Sequence, residues 1–157
     1  MRSINTHLSL AGLMLLTSGC STAKSELQRL IKENPRRSAP HIDLGIIQLD
    51  EALPEAAEQS FRAALAIDSQ SSTAHNLLGV SLRMQGKFNA AEQAYQAALK
   101  YQPSYLHAHR NLGILYDLYL AKPQQALQHY QQYQTLLGSK DNEIDNWIID
   151  LQRRIGK

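Results

Sequence analysis

Residues 72–105 read STAHNLLGVSLRMQGKFNAAEQAYQAALKYQPSY, and the segments on both sides follow the same plan. Residues 38–71 align with this stretch without a gap, and residues 106–139 align with one inserted residue. A spacing of 34 residues separates three glycines, each directly after a leucine: Gly45, Gly79 and Gly113. A fixed period of this length is typical of repeat architectures, so the pattern predicts a stack of similar units.

Other positions of the unit also repeat when the three units are counted from Ser38, Ser72 and Leu106. Positions 20 and 27 hold alanine and position 24 holds an aromatic ring in the first two units: Ala57, Phe61, Ala64, Ala91, Tyr95 and Ala98. Small residues let two antiparallel helices approach closely, and larger side chains fill the space to the next pair. After an insertion near Lys122-Pro123, the third unit holds Ala126, Tyr130 and Tyr133 at these positions.

The pattern resembles the tetratricopeptide-repeat (TPR) family, whose units carry L-G, then A-x3-F, then P at these places. The resemblance implies an all-α fold, a TPR α-solenoid of antiparallel helix pairs with a C-terminal capping helix. Half a unit precedes the first full one, because Ala23, Leu27, Leu30 and Pro35 match positions 20, 24, 27 and 32. Its first helix is missing, and we expect its remaining helix to begin almost at Cys20.

The segment after Gly138 has the pattern of that capping helix. One face of residues 141–155 is apolar: Ile144, Trp147, Ile148, Leu151 and Ile155. Asp141 is the expected N-cap, and Gly156 is the expected end of the helix. Such a helix would cover the apolar side that the last pair otherwise exposes.

The amino terminus has the layout of a secretory signal. Arg2 supplies a positive charge, residues 8–16 are apolar, and the small residues 17–19 lead to Cys20. The apolar part is about half as long as a bilayer-spanning helix, which needs roughly 20 residues. Residues 16–20 resemble the lipobox of bacterial lipoproteins, which implies cleavage before Cys20 and lipid on its thiol.

Ser21 follows the cysteine, where the family's inner-membrane retention signal would be Asp, so the resemblance implies outer-membrane delivery. The alternative is an ordinary signal peptide that is cut elsewhere, with Cys20 as an incidental thiol. The predicted organisation is a lipoprotein signal peptide at 1–19, a half-repeat helix at 20–37, TPR units at 38–71, 72–105 and 106–139, and a capping helix at 140–157.

Composition narrows the class of protein. The 157 residues are 43% apolar and 19% charged, and the formal net charge is only +2. Without a run of Lys or Arg, no nucleic-acid partner is expected. The single cysteine excludes an internal disulfide and a multi-cysteine metal site, and we expect no cofactor.

Few residues are candidates for metal binding or catalysis. His41, His75 and His109 share the 34-residue spacing, but at position 4 they are expected to pack within separate units, about 10 Å apart, and not to share a metal. The chain has no phosphate loop, nucleophile elbow or HExxH, and Glu55, Glu58 and Glu92 are expected on outer helix faces. No catalytic residue and no metal ligand is predicted, so an enzyme is not expected.

The TPR resemblance also implies where a partner binds. In this family the concave groove is lined by positions 2, 5, 9, 12 and 13 of the first helices, which hold extended peptides or partner helices. The matching residues here are Ile42, Ile46, Leu49, Asn76, Val80, Arg83, Met84, His107, Arg110, Ile114, Asp117 and Leu118. A partner carboxylate near Arg83 and Arg110 is one interpretation. The alternatives are solvated arginines, or a poor pair between Arg110 and Asp117.

The positions of the lysine-and-asparagine carboxylate clamp of chaperone-binding TPRs hold other residues here. The sequence therefore predicts a scaffold, lipid-anchored at the outer membrane of a Gram-negative bacterium and facing the periplasm. Its partner would be a peptide or helix of another envelope protein, with pilus assembly as the more specific expectation. Two alternatives are a self-associating envelope module, and a lipid or small-ligand carrier with an enclosed cavity.

Overall fold

The computed structural model describes residues 10–156, with side chains from Ser21 onward. Within this range the chain forms eight helices and no strand. They are α1 Leu10–Glu33, α2 Ala39–Asp50, α3 Pro54–Ile67, α4 Ser72–Met84, α5 Phe88–Tyr101, α6 Leu106–Leu118, α7 Pro123–Leu137 and α8 Asn142–Ile155. Each helix packs against the next one in the chain. The prediction of an all-α fold built from stacked helix pairs is confirmed.

The first helix crosses the predicted cleavage site. α1 starts at Leu10, so the helix that was expected to begin almost at Cys20 continues back into the residues of the predicted signal peptide. The first nine residues and the side chains of residues 10–20, which include the predicted lipidation site, lie outside the described part of the chain. Between residues 10 and 156, no helix is both long enough and apolar enough to cross a membrane.

Each full pair is closed by a ring that lies on a glycine. Phe61 lies against Gly45, and Tyr95 lies against Gly79, where an added Cβ atom would come within 2.5 Å of the Tyr95 ring. Tyr130 and Gly113 repeat this contact in the third pair. The three rings are at most 1% exposed, so they form the centre of the core. The glycine at position 8 is therefore required by packing.

The turns within the pairs share an unusual backbone conformation. Ala52, Gly86 and Ala121 lie between the two helices of successive units with φ of 56°, 74° and 51°. Only glycine adopts this left-handed region without steric cost. The middle turn is thus relaxed, whereas the two outer turns hold an alanine in a strained conformation.

Glu58 joins the first pair to the second, which corrects its expected place on an outer helix face. Its side chain is 15% exposed, and it accepts hydrogen bonds from Gln85 at 2.8 Å, Lys87 at 3.1 Å and Arg62 at 2.9 Å. Burial alone would raise the pKa of Glu58, but these three donors outweigh it and lower the pKa to about 2. The group therefore stays ionised as a structural anion.

Glu92 repeats this junction one unit later and is also only 17% exposed. It accepts hydrogen bonds from Lys122 at 3.2 Å and from the Tyr116 hydroxyl at 2.8 Å. At the boundary between the half-unit and the first full unit, the positions of cation and anion are exchanged. Here the cation, Lys24, lies on α1 of the preceding half-unit, and it pairs at 2.5 Å with Glu51, which follows α2. Each boundary between units thus carries an ion pair at a related place.

The last helix, α8, packs in the manner of the first helix of a pair. Ile144, Ile148 and Leu151 of α8 are buried at the same spacing as positions 3, 7 and 10 of α6. Asp141 caps α8, because its side chain accepts hydrogen bonds from the backbone N–H groups of Glu143 and Ile144. Within residues 10–156 no helix covers the outer side of α8, where Ile149 is 45% exposed.

Candidate functional site

The first helices of the pairs line one side of the solenoid. The backbone of α4 lies close to that of both α2 and α6, whereas among the described helices none of α3, α5 and α7 approaches another of the three. Helices that lie closer together occupy the inner side of a curved stack. The concave surface is therefore formed by α2, α4 and α6, and α8 extends the row.

An apolar stripe runs along this surface. Ile46, Val80 and Ile114 hold position 9 of α2, α4 and α6, and Met84 and Leu118 hold position 13 of the latter two. Val80 and Ile114 are half-buried against the core, whereas Ile46, Met84 and Leu118 are 38%, 45% and 68% exposed. Large apolar side chains aligned on one face are typical of a surface that a partner covers.

Asn76 and His107 lie at different depths. Asn76 is 4% exposed, and its side-chain oxygen accepts a hydrogen bond from Asn111 at 2.9 Å, which ties α4 to α6. This corrects the expectation that Asn76 is open to a partner, because its amide oxygen is already used between the helices. His107 is exposed at the start of α6, where its ring meets the edge of Tyr105.

Arg110 and Asp117 pair with the last helix and not with each other. Arg110 lies 3.3 Å from Glu143, and its guanidinium is 5.7 Å from the centre of the Trp147 ring. Asp117 accepts a hydrogen bond from Arg154 at 2.5 Å, and its side chain is 9% exposed. The carboxylate expected at Arg110 is thus supplied by the chain itself.

A cleft of about 480 Å³ opens between α6 and α8 at this end of the row. Six residues line it: Asp117, Leu118, Tyr130, Trp147, Asp150 and Arg154. Its charges are already paired, since Arg154 contacts both Asp117 and Asp150. The apolar surface of Leu118 and Trp147 is therefore what the cleft offers to an incoming side chain.

Arg83 differs from the other groove arginine. No ion pair joins it to any carboxylate within residues 21–156. Its guanidinium carbon lies 5.9 Å from the centre of the Tyr119 ring, and its Nε is buried without a hydrogen bond. Tyr119 is a residue of the concave surface that the sequence did not identify, because it follows the last groove position of α6.

The repeated histidines contact the loops that precede their helices. The Nε2 of His75 donates a hydrogen bond to the carbonyl of Ser69 at 3.0 Å, and His109 does the same to Pro103 at 3.0 Å. His109 is 8% exposed, as expected for a packing residue. Burial lowers the pKa of His41. Across the described side chains, no three His, Cys, Asp or Glu residues come together as metal ligands.

His129 is a partner of His109 that the sequence did not reveal. The two Nδ1 atoms lie 3.0 Å apart between α6 and α7. Since the Nε2 of His109 donates to a carbonyl, its Nδ1 accepts the Nδ1 proton of His129 when both rings are neutral. Burial and repulsion from His109 lower the pKa of His129 to about 4.

Comparison with known proteins identifies the repeats. A family model described as "Tetratricopeptide repeat" matches residues 72–105, and a second with the same description matches residues 18–72. Together the two matches span more than half of the chain. No curated protein sequence matches this one.

Solved structures share the fold over most of the chain. MamA superposes with a TM-score of 0.79 at 21% identity, over 96% of this chain and 86% of its own. PilF of Pseudomonas aeruginosa superposes with a TM-score of 0.77 at 26% identity, over 92% of this chain and 65% of its own. The first TPR domain of Spaghetti (RPAP3), bound to the HSP90 peptide SRMEEVD, gives 0.72 at 16% identity, over 77% and 94%.

Proposed function

Because the chain carries tetratricopeptide repeats, we propose that it is a non-enzymatic scaffold whose concave groove binds a peptide or helix of another envelope protein. The observation that carries this proposal is the apolar stripe, with Ile46, Met84 and Leu118 exposed on consecutive first helices. Burying apolar surface stabilises a complex by about 25 cal/mol per Å². A partner that covers the stripe would therefore gain affinity from each of these side chains.

The chemistry of the chain favours binding over catalysis. Glu58 accepts hydrogen bonds from three donors that lower its pKa to about 2, so it is not a base near neutral pH. The rings of His109 and His129 are hydrogen-bonded to each other, and His109 is also bonded to the carbonyl of Pro103. The exposed residues of the groove are mainly apolar or are paired ions, which suits recognition of another chain.

The proposed location follows from the amino terminus. Lipid on Cys20 would tether α1 to the outer membrane, with the groove in the periplasm, and more than one acyl chain is needed for stable anchoring. The more specific part of this proposal is a role in envelope or pilus assembly, for a chain that shares the fold of PilF over 92% of its length. The peptide held by the RPAP3 domain supports a peptide as the form of the ligand.

Site-specific photocrosslinking in intact cells tests the groove. A crosslinker at Leu118 or Met84 should capture one partner, which mass spectrometry then identifies as an envelope protein. A crosslinker at Gln131, exposed on α7, is the matched control and should not capture it. The proposal would be contradicted if crosslinkers at Gln131 and Leu118 captured the partner equally, or if the captured partner were a cytoplasmic protein.

A second function is favoured by one observation, the open face of α1. Ala23 is exposed and Leu27 is half-buried, whereas the residues at the same positions of the full units are buried. A second copy could cover this face, which would make the protein a self-associating envelope module. Sedimentation of the delipidated protein decides between the two, since a monomer at tens of micromolar, a concentration typical of weak association, contradicts self-association.

A further inference from the structure

The cleft between α6 and α8 carries more negative than positive charge. Among the residues that line it, Arg154 is the one cation, and it pairs with both Asp117 and Asp150, at 2.5 Å and 2.9 Å. Beside the cleft, the charge of Arg110 is balanced by Glu143. Each charge therefore has a partner, but one guanidinium serves two carboxylates, and one negative charge remains in excess.

Asp117 is a buried acceptor that is only partly used. Its side chain is 9% exposed, and its Oδ1 accepts a hydrogen bond from Arg154. No other residue of the described chain donates a hydrogen bond to this carboxylate. Since a carboxylate offers about four lone-pair sites on two oxygens, Asp117 has room for a second donor that enters the cleft.

Tyr130 is a second buried polar group of the cleft. The residue is 1% exposed, its ring lies on Gly113, and it lines the cleft. Its hydroxyl forms no hydrogen bond with any residue in the described part of the chain. Burial and the charge of Asp117 raise the pKa of Tyr130, so the hydroxyl stays neutral and its oxygen can accept a hydrogen bond. A ligand with a donor for this oxygen would remove the cost of leaving it unpaired.

The remaining lining of the cleft is apolar. Trp147 supplies an aromatic ring, and Leu118 is 68% exposed. Long basic side chains lay their aliphatic stems on apolar surface of this kind and keep the charged end among polar groups. The cleft thus offers apolar contact and acceptors to the same side chain.

The arrangement of the acceptors selects one kind of side chain. Asp117 lies on α6, Tyr130 on α7 and Asp150 on α8, so the acceptors converge from three helices. An ammonium group has three N–H donors around a compact charge, whereas a guanidinium is a planar fork that matches one carboxylate. An anion would be repelled by the excess negative charge, and an uncharged apolar side chain would leave the buried acceptors unpaired. Lysine meets both requirements.

We propose that this cleft binds a lysine side chain of the partner chain. Its ammonium group donates hydrogen bonds to Asp117, Asp150 and Tyr130, and its aliphatic stem lies on Leu118 and Trp147. The proposal rests on the groove function above and adds a ligand chemistry to it. It places a basic residue of the partner at the α8 end of the concave row.

Trp147 is the only tryptophan of the chain, so its fluorescence reports on the cleft. The purified protein is titrated with N-acetyl-lysinamide, whose single charge is the side-chain ammonium. The fluorescence should change in a saturable manner with Kd on the order of 1 mM at low salt, and added salt should weaken the binding. N-acetyl-norleucinamide, which keeps the apolar stem without the charge, should bind at least about tenfold more weakly.

Three results of these titrations would contradict the proposal. The absence of a saturable change with N-acetyl-lysinamide overturns it, and so does equal binding of N-acetyl-norleucinamide. Tighter binding of N-acetyl-argininamide overturns the choice of lysine, because a planar fork would then match the acceptors better.

Variants locate the bound side chain. Asp150→Asn removes an exposed carboxylate of the cleft and should weaken binding of N-acetyl-lysinamide at least about fivefold. Glu55→Gln is the matched control, because it removes an exposed carboxylate from α3, and it should leave the affinity unchanged. Tyr130→Phe keeps the ring on Gly113 and should weaken binding about threefold. Equal affinities of Asp150→Asn and Glu55→Gln overturn the site, and wild-type affinity of Tyr130→Phe removes the hydroxyl from it.

Partner capture separates this proposal from the groove function. With the crosslinker at Met84, Asp150→Lys should capture less of the partner than the wild type, because it reverses the charge at the exposed side of the cleft. Undiminished capture by Asp150→Lys overturns the lysine site and leaves the groove function intact. Failure of both Met84 and Leu118 to capture any partner removes both.

Discussion

The ring of Tyr95 lies against the backbone of Gly79, in the space that a side chain at position 79 would occupy. Because both groups are buried, Gly79→Ala must displace the ring or separate α4 from α5. We expect a loss of about 1 to 3 kcal/mol in the free energy of unfolding, measured by urea denaturation. The double variant Gly79→Ala with Tyr95→Leu should recover part of this loss. An unchanged midpoint for Gly79→Ala would contradict the packing described here.

The turn residues allow a reciprocal pair of substitutions. Gly86→Ala should lose about 1 kcal/mol, because alanine is strained at positive φ while its Cβ would meet no atom within 4 Å. Ala52→Gly should instead gain a few tenths of a kcal/mol or more, because it relieves that strain at the equivalent turn. Thermal unfolding of both variants and of the wild type gives the sign of each change in stability. Changes of the same sign in the two variants would contradict this account of the turns.

Acid should weaken the contact between α6 and α7. The pKa of His129 is about 4 in the folded chain, below its ordinary value of 6.5, so the unfolded chain binds more protons between these values. Stability from this group is present above pH 6.5 and is lost as the pH falls towards 4. Partial exposure limits the loss to about 1 to 2 kcal/mol. His129→Asn keeps a donor near Nδ1 without titrating, and its stability should vary less over this window in urea titrations at several pH values.

The lipid anchor has a direct test. Cys20→Ser should move the protein from the membrane fraction to the soluble periplasmic fraction, because the thiol that accepts the lipid is gone. Ser21→Ala is the neighbouring control and should stay with the membrane. Continued membrane partitioning of Cys20→Ser would exclude lipid on Cys20 as the anchor.

The fold could be predicted from the sequence because the decisive contacts are local to a unit. Gly79 and Tyr95 are separated by a fixed 16 residues, and Gly45 and Phe61 repeat the spacing. A glycine that faces a ring at constant separation leaves a periodic signal. The repeat register ends at Ala23, so it does not predict that α1 continues across Cys20 to Leu10.

The site was less predictable because its contacts join different units. The partner of Arg110 is Glu143, 33 residues away on α8, and the choice depends on how two long side chains meet across the stack. The depth of Asn76 likewise depends on Asn111 in the neighbouring unit. Position numbers place a residue on the groove side, but they do not say whether its polar atoms are already bonded.

Because the ion pairs between units recur, a second copy of residues 72–105 would fit next to the first. Residues 72–105 contain Lys87, which forms an ion pair with Glu58 of the preceding unit. They also contain Glu92, which forms an ion pair with Lys122 of the following unit. His75 likewise contacts Ser69 at the end of the preceding unit, and His109 of the following unit contacts Pro103 at the end of this one. A tandem duplication of these 34 residues would therefore find matching ends on both sides. The solenoid is modular at this point, so its groove could be lengthened by genetic insertion without redesign of either end.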